Sequence, residues 1–146
     1  WFNMGKRTME CTKLMMGVKA YALLKSYGTE IIDEYVTRQY DLGKSFADML
    51  EARKGWQLAM QPATNIVCFR YCPDKMEERE AERMNASIRQ QLLEEGEFYI
   101  VQTRLKNKFY LRTTLMNAFT TEKELTALLE RIEEVAATWK STTLNY

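Results

Sequence analysis

The chain has 146 residues, 21 basic and 20 acidic, with 46% hydrophobic and 28% charged residues, three cysteines and no histidine. That length fits one domain with a core of its own, and the composition is that of a folded soluble protein. The balanced charge implies no general attraction to nucleic acid or to a membrane surface. The missing histidine removes from this chain the Ser-His-Asp triad, the imidazole general acid and most zinc sites.

Three cysteines, Cys11, Cys68 and Cys72, are an odd count that argues against a secreted disulfide framework. They read as small packed hydrophobes, and a cytoplasmic location is expected. No apolar run approaches the roughly 20 residues of a membrane span, and WFNMGKRTMEC lacks the apolar core of a signal peptide. There is no GxGxxG and no other phosphate-cradling glycine loop. No catalytic constellation is assembled from these residues alone.

In chain order, TKLMMGVKAYALLKSY (12–27) predicts a helix that Gly28 stops. Its Leu14, Met15, Met16, Val18, Tyr21, Leu23 and Leu24 spread around the axis, so it either threads the core or packs against something outside this chain. Thr29 can cap a second helix reaching about Lys54. Its stripe is Ile32, Tyr35, Val36, Leu42, Phe46, Met49 and Leu50, and its solvated back carries Glu30, Glu34, Arg38, Lys44 and Glu51. Gly43 should weaken it by ~1 kcal/mol relative to alanine without ending it. WQLAM (56–60) reads as a short strand, and NIVCFRY (65–71), between Pro62 and Pro73, as a buried β-branched and aromatic one. The charged run after Pro73 reads as a solvated helix start that turns amphipathic through Met84, Ile88 and Leu92.

After Gly96, residues 98–105 and 108–116 alternate as two strands joined at Lys106-Asn107. Alternation puts Phe109, Leu111, Thr113 and Leu115 on one face, and Tyr110, Arg112, Thr114 and Met116 on the other. Thr121 with Glu124 matches a capping box, and the last helix carries Leu125, Leu128, Leu129, Ile132 and Val135. A polar tail follows Lys140. The expected fold is α+β: one small, mainly antiparallel sheet of about four strands with helices on one face. Arg112 then lies on the other face. It is either an exposed strand residue or an anion clamp, because guanidinium offers a fixed, always-charged fork for carboxylate or phosphate. Periodicity leaves both open.

Three stretches carry a resemblance. KRTMECTKLMMGVKAYALLKSYG, NIVCFRY and LLEEGEFYIVQTRLKNKFYLRTTLMNAFTTEKEL resemble, in order, the basic opening, the central strand and the "lR…NP-x-T" ending of one family's C-terminal small domain. The family is the group II pyridoxal-phosphate-dependent amino-acid decarboxylases, which act on glutamate, aromatic amino acids, cysteine sulfinate or 2,4-diaminobutyrate. The resemblance implies a fold-type-I small domain in a homodimeric carboxy-lyase. Pyridoxal phosphate would be bound by a large domain absent here, and no cofactor is expected in this chain. It further implies that Arg112, the arginine of the "lR" strand, holds the substrate carboxylate, while the chain alone is inactive. The implied layout is a linker remnant at 1–10, the small domain at 11–140 and a tail at 141–146, with Trp1 read as the start of a fragment. The departures are Asn117-Ala118 where the family has Asn-Pro, and Met15 where it has tryptophan. The TLMN…TT ending leans toward the diaminobutyrate-like or general bacterial branch. The competing reading is a free-standing α+β module that binds a small anion or a protein through its open sheet face.

Overall fold

Eight elements form in the expected order: α1 (Met16–Tyr27), α2 (Glu30–Glu51), β1 (Trp56–Leu58), β2 (Ile66–Tyr71), α3 (Glu78–Glu95), β3 (Val101–Leu105), β4 (Lys108–Thr114) and α4 (Glu122–Thr143). The structure, a computed structural model, describes residues 16–73 and 76–143, with side chains as far as Trp139. Cys11, Leu14, Met15 and the 1–10 linker lie outside the described residues, as do 144–146 of the tail. Helix α4 runs on to Thr143, into the stretch read as tail. The chain divides into two units, Trp1–Tyr35 and Val36–Tyr146, and α2 crosses the division.

In the first unit, Gly28 ends α1 in the left-handed region at φ 76°, and the Thr29 carbonyl accepts the Ile32 and Asp33 amides to start α2. No side chain of α1 is buried. Met16, Val18, Tyr21 and Tyr27 are each at least 60% exposed. The α2 stripe is likewise covered only in part. Ile32, Tyr35 and Val36 are exposed, Leu42 and Met49 half-buried, and Phe46 and Leu50 buried.

In the second unit the sheet order is β1-β2-β4-β3, every pair antiparallel. Lys106 and Asn107 close the β3–β4 hairpin with both residues at positive φ (51° and 62°), the geometry of a two-residue type I′ turn. One sheet face is covered. Val67, Phe69, Phe109 and Leu111 pack with Phe46 and Leu50 of α2, Met84, Ile88 and Leu92 of α3, and the Leu125–Ala136 stripe of α4. Phe46 meets Phe69 edge-on at 5.2 Å, and the Trp56 indole N–H reaches Glu133 at 2.8 Å, so the tryptophan is buried with its donor satisfied.

Two polar details hold this layer in place. Asn85 of α3 is fully buried; its Oδ1 accepts the Tyr71 amide at 3.0 Å and its Nδ2 donates to the Tyr71 carbonyl at 2.7 Å. The β2–β4 register runs from Ile66↔Thr114 to Phe69↔Leu111, so this side chain takes over as backbone partner of β2 beyond the ladder. Gly43 has a role that the sequence did not show: a Cβ there would lie 2.9 Å from the Thr64 carbonyl oxygen. The glycine lets α2 approach the β1–β2 loop.

Asn85→Ala should therefore cost about 2–4 kcal/mol in urea unfolding, because two buried backbone groups lose their partner. Gly43→Ala should destabilise by about 1 kcal/mol, since the overpacking outweighs alanine's gain in helix propensity. A Gly43→Ala chain more stable than the parent would show that Thr64 yields without strain.

Candidate functional site

The face turned away from the helices carries Gln57, Ile66, Cys68, Arg70, Tyr110, Arg112, Thr114, Val101 and Thr103, as the cross-strand register requires. Two arginines share it, and their surroundings differ sharply.

Arg70 is 4% exposed. Its Nε and Nη2 donate to Gln57 Oε1 at 3.0 and 2.8 Å, its Nη2 to Glu78 Oε2 at 3.1 Å, and its Nη1 to Glu78 Oε1. The guanidinium also lies over the Tyr110 ring, 5.2 Å from its centroid. This buried charge is matched by a carboxylate and saturated with hydrogen bonds. It anchors the start of α3 to the sheet. Tyr110, placed by alternation on the open face, is buried beneath it. Sequence reasoning missed this arrangement. A usable signal was an arginine inside the apolar run IVCFRY with an acidic segment a few residues on.

Arg112 is half-buried and, among the described residues, makes no hydrogen bond or ion pair; its Nε is buried without a partner. Its cross-strand neighbours are Cys68 and Val101. Burial pushes the Cys68 thiol up, against the opposing pull of the Arg112 guanidinium. Cys68 and Cys72 are both free. Among the described residues no group of three or more His, Cys, Asp and Glu is placed to hold a metal.

Two clefts meet at Arg112. One, of about 380 Å³, is bounded by Phe98, Val101, Leu125 and Leu128, with Thr113 and Thr114 beside the arginine. The other, of about 340 Å³, lies under the loop from Met60 to Thr64 and reaches Cys68 and Thr103. The capping box expected at the start of α4 adjoins the first. Glu124 accepts the Thr121 amide at 2.8 Å and its hydroxyl at 2.5 Å, and Thr121 Oγ1 accepts the Lys123 amide at 3.3 Å. Those Thr121 hydrogen bonds hold the Glu124 carboxyl below its ordinary value. The Asn117 side chain accepts the Phe119 amide at 2.9 Å, closing the turn that lacks the family's proline. Every lysine whose side chain is described is exposed, so these residues offer no sheltered amine for a Schiff base and do not themselves fit pyridoxal phosphate. No described helix is long and apolar enough to cross a membrane.

No protein-family model matches the chain. Among curated proteins it is 25% identical over 120 residues to a phenylacetaldehyde synthase of Arabidopsis thaliana, covering 82% of this chain and 24% of that protein. It is 21% identical over 143 residues to an acidic amino acid decarboxylase of Mus musculus, covering 92% and 26%. Among solved structures, the glutamate decarboxylase domain of a Vibrio parahaemolyticus diaminobutyrate-pyruvate transaminase and L-2,4-diaminobutyrate decarboxylase aligns with TM-score 0.78. It is 20% identical over 93% of this chain and 29% of that one. An Oryza sativa TDC, solved with PLP and tryptamine, aligns with TM-score 0.76 at 20% identity, over 84% of this chain and 27% of its own. The chain thus spans about a quarter of the length of the curated relatives it matches. These relatives and neighbours come from the group II pyridoxal-phosphate-dependent amino-acid decarboxylases, the family the sequence resemblance named.

The Arg70–Glu78 pair sets a pH dependence. Hydrogen bonding from Arg70 lowers the Glu78 carboxyl below its ordinary 4.5 despite some desolvation, and the Arg70 and Lys108 charges add to the effect. A depressed folded-state value gives stability that is complete above the unfolded value and is lost as pH falls through the folded one. The stability deficit of Glu78→Gln relative to the parent should therefore be largest near neutrality and shrink below pH 4.5, as read by urea unfolding at both pH values. A deficit independent of pH would assign Glu78 a packing role only.

Proposed function

We propose that this chain is the C-terminal small domain of a pyridoxal-phosphate-dependent amino-acid decarboxylase, and that Arg112 holds the substrate carboxylate there. The observation that carries this reading is the unpaired, half-buried Arg112 guanidinium where two clefts meet. Arg112 has no counter-charge among the described residues, whereas Arg70 and Arg104 of the same sheet are paired, and a carboxylate is the ligand that fits its fork. The alignment with about a quarter of longer decarboxylases supports the same reading over that of a free-standing binding module.

In the longer protein the cofactor supplies the electron sink for loss of carbon dioxide. This chain's part is to bind and orient. Two parallel N–H···O bonds from Arg112 would fix the carboxylate plane and hold the scissile bond in one attitude. The helix-covered face keeps the strand carrying Arg112 rigid, and helps to close the active site. The uncovered apolar side chains of α1 and early α2 then meet the large domain of the same polypeptide, in a homodimer whose substrate is an amino acid.

Arg112→Lys in the full-length enzyme keeps the charge but loses the planar fork. It should lower decarboxylation by roughly 30-fold to several thousand-fold, the effect of about 2–5 kcal/mol, with cofactor absorbance and folding unchanged. Full activity with unaltered substrate affinity would return Arg112 to the exposed strand residue of the simpler reading.

A further inference from the structure

The β3–β4 ladder stops before β4 does. Val101 opposite Arg112 is its last pair, yet β4 runs on to Thr114. Continued by two residues, the same register sets Tyr99 opposite Thr114. The Leu115 amide donates to the Asn65 carbonyl at 2.9 Å and the Leu115 carbonyl accepts the Asn65 side chain at 2.8 Å, so Leu115 faces β2. Alternation turns the Thr114 amide and carbonyl the other way, toward an edge that β3 does not reach. The cleft of about 380 Å³ is this gap in the sheet. Phe98 and Tyr99 line one side of it and Thr113 to Met116 the other, and Leu125 and Leu128 of the helix layer are reached through it because the sheet is incomplete there. Residues 97–100 belong to no helix or strand. They are held at one end by Gly96, which caps α3 at φ 76°, and at the other by Ile100, 2% exposed, while Tyr99 between them is 83% exposed.

We propose that residues 97–100 are a strap that zips onto the free edge of β4, forming the Tyr99–Thr114 rung, closing the cleft and laying the Tyr99 ring against Arg112. Parity puts the Tyr99 side chain of the closed strap on the face of Val101, Arg112 and Thr114, diagonal to the arginine and within reach of it. The same sheet already holds such a pair, the Arg70 guanidinium over the Tyr110 ring at 5.2 Å. Closing gains two backbone hydrogen bonds and costs the ordering of a four-residue segment, opposing terms of like size that leave both forms populated. In the open form Arg112 is reached from the sheet edge, and in the closed form the ring covers that approach. The strap governs access to the arginine whichever anion it takes, so the inference goes beyond the carboxylate reading and does not rest on it.

The test joins amide-nitrogen relaxation dispersion with labelling of arginine by phenylglyoxal, both on this chain, whose second unit closes its own core. The Tyr99 and Thr114 amides should report one shared exchange process that the Val67 and Thr113 amides of the β2–β4 ladder do not show. Tyr99→Pro removes a donor of the rung, so it should abolish the exchange at Thr114. It should also raise the labelling rate of Arg112, read by mass spectrometry against the exposed Arg38, by about twofold or more, the factor for a strap closed half the time. Tyr99→Gly keeps the donor but loses the ring, and should raise the labelling rate likewise; it carries the test if near-UV circular dichroism shows the proline variant unfolded. Flat dispersion at both amides, exchange at Thr114 that persists in folded Tyr99→Pro, or Arg112 labelling unchanged in a folded Tyr99 variant would each overturn the strap. None of these bears on the Arg112→Lys activity measurement, so the two readings fail separately.

Discussion

The register between β2 and β4 is the constraint on which everything else depends. Phe69 opposite Leu111 and Cys68 opposite Arg112 are adjacent rungs of one antiparallel ladder. The first rung turns into the helices and the second away from them. A slip of one residue would exchange the faces, bringing Arg112 into the core and Leu111 out of it. The apolar interdigitation of Phe69 and Leu111 with Phe46, Ile88 and Leu129 excludes that slip, and in doing so fixes the position of a charge on the other face of the same sheet. Asn85 reinforces the same choice by accepting and donating at Tyr71, where the β4 ladder has ended.

On the face so defined, burial and pairing separate two residues of one chemical type. Arg70 is enclosed, and a buried guanidinium is tolerable only when its charge and its donors are met. Gln57, Glu78 and Tyr110 meet them. Arg112 stands two residues along from Tyr110, with a buried Nε that no group among the described residues satisfies. The difference is one of local supply. Glu78 comes to Arg70 because α3 begins beside that end of β2, and no carboxylate among the described residues pairs with Arg112. A paired arginine and an unpaired one are thus distinguished by which elements end nearby.

Helix α1 and the first turns of α2 obey the opposite logic. Its apolar residues are abundant and uncovered. A helix apolar around most of its circumference has no stable solvated orientation. The second unit, by contrast, closes its own core through α2, α3 and α4. The chain therefore joins a self-sufficient layer to a segment whose apolar surface remains uncovered.

How much of this was legible in the sequence follows from the range of each interaction. Local rules determined the element types and order, the Lys106-Asn107 turn, the Thr121–Glu124 box and the placing of Arg112 on the face opposite Leu111, because periodicity, turn chemistry and capping act within a few residues. The same rules could not show that β2 lies between β1 and β4, that Arg70 would be neutralised by Glu78, that Asn85 would partner Tyr71, or that Gly43 is required by the Thr64 carbonyl. Those are contacts between residues 8 to 46 or more positions apart in sequence in which one backbone or charge finds another. The sequence by itself determined that an arginine would stand on the uncovered face of a small antiparallel sheet. Only the tertiary structure decided that this arginine, and not Arg70, is the one left without a partner among the described residues, because pairing depends on which chain segments end beside it.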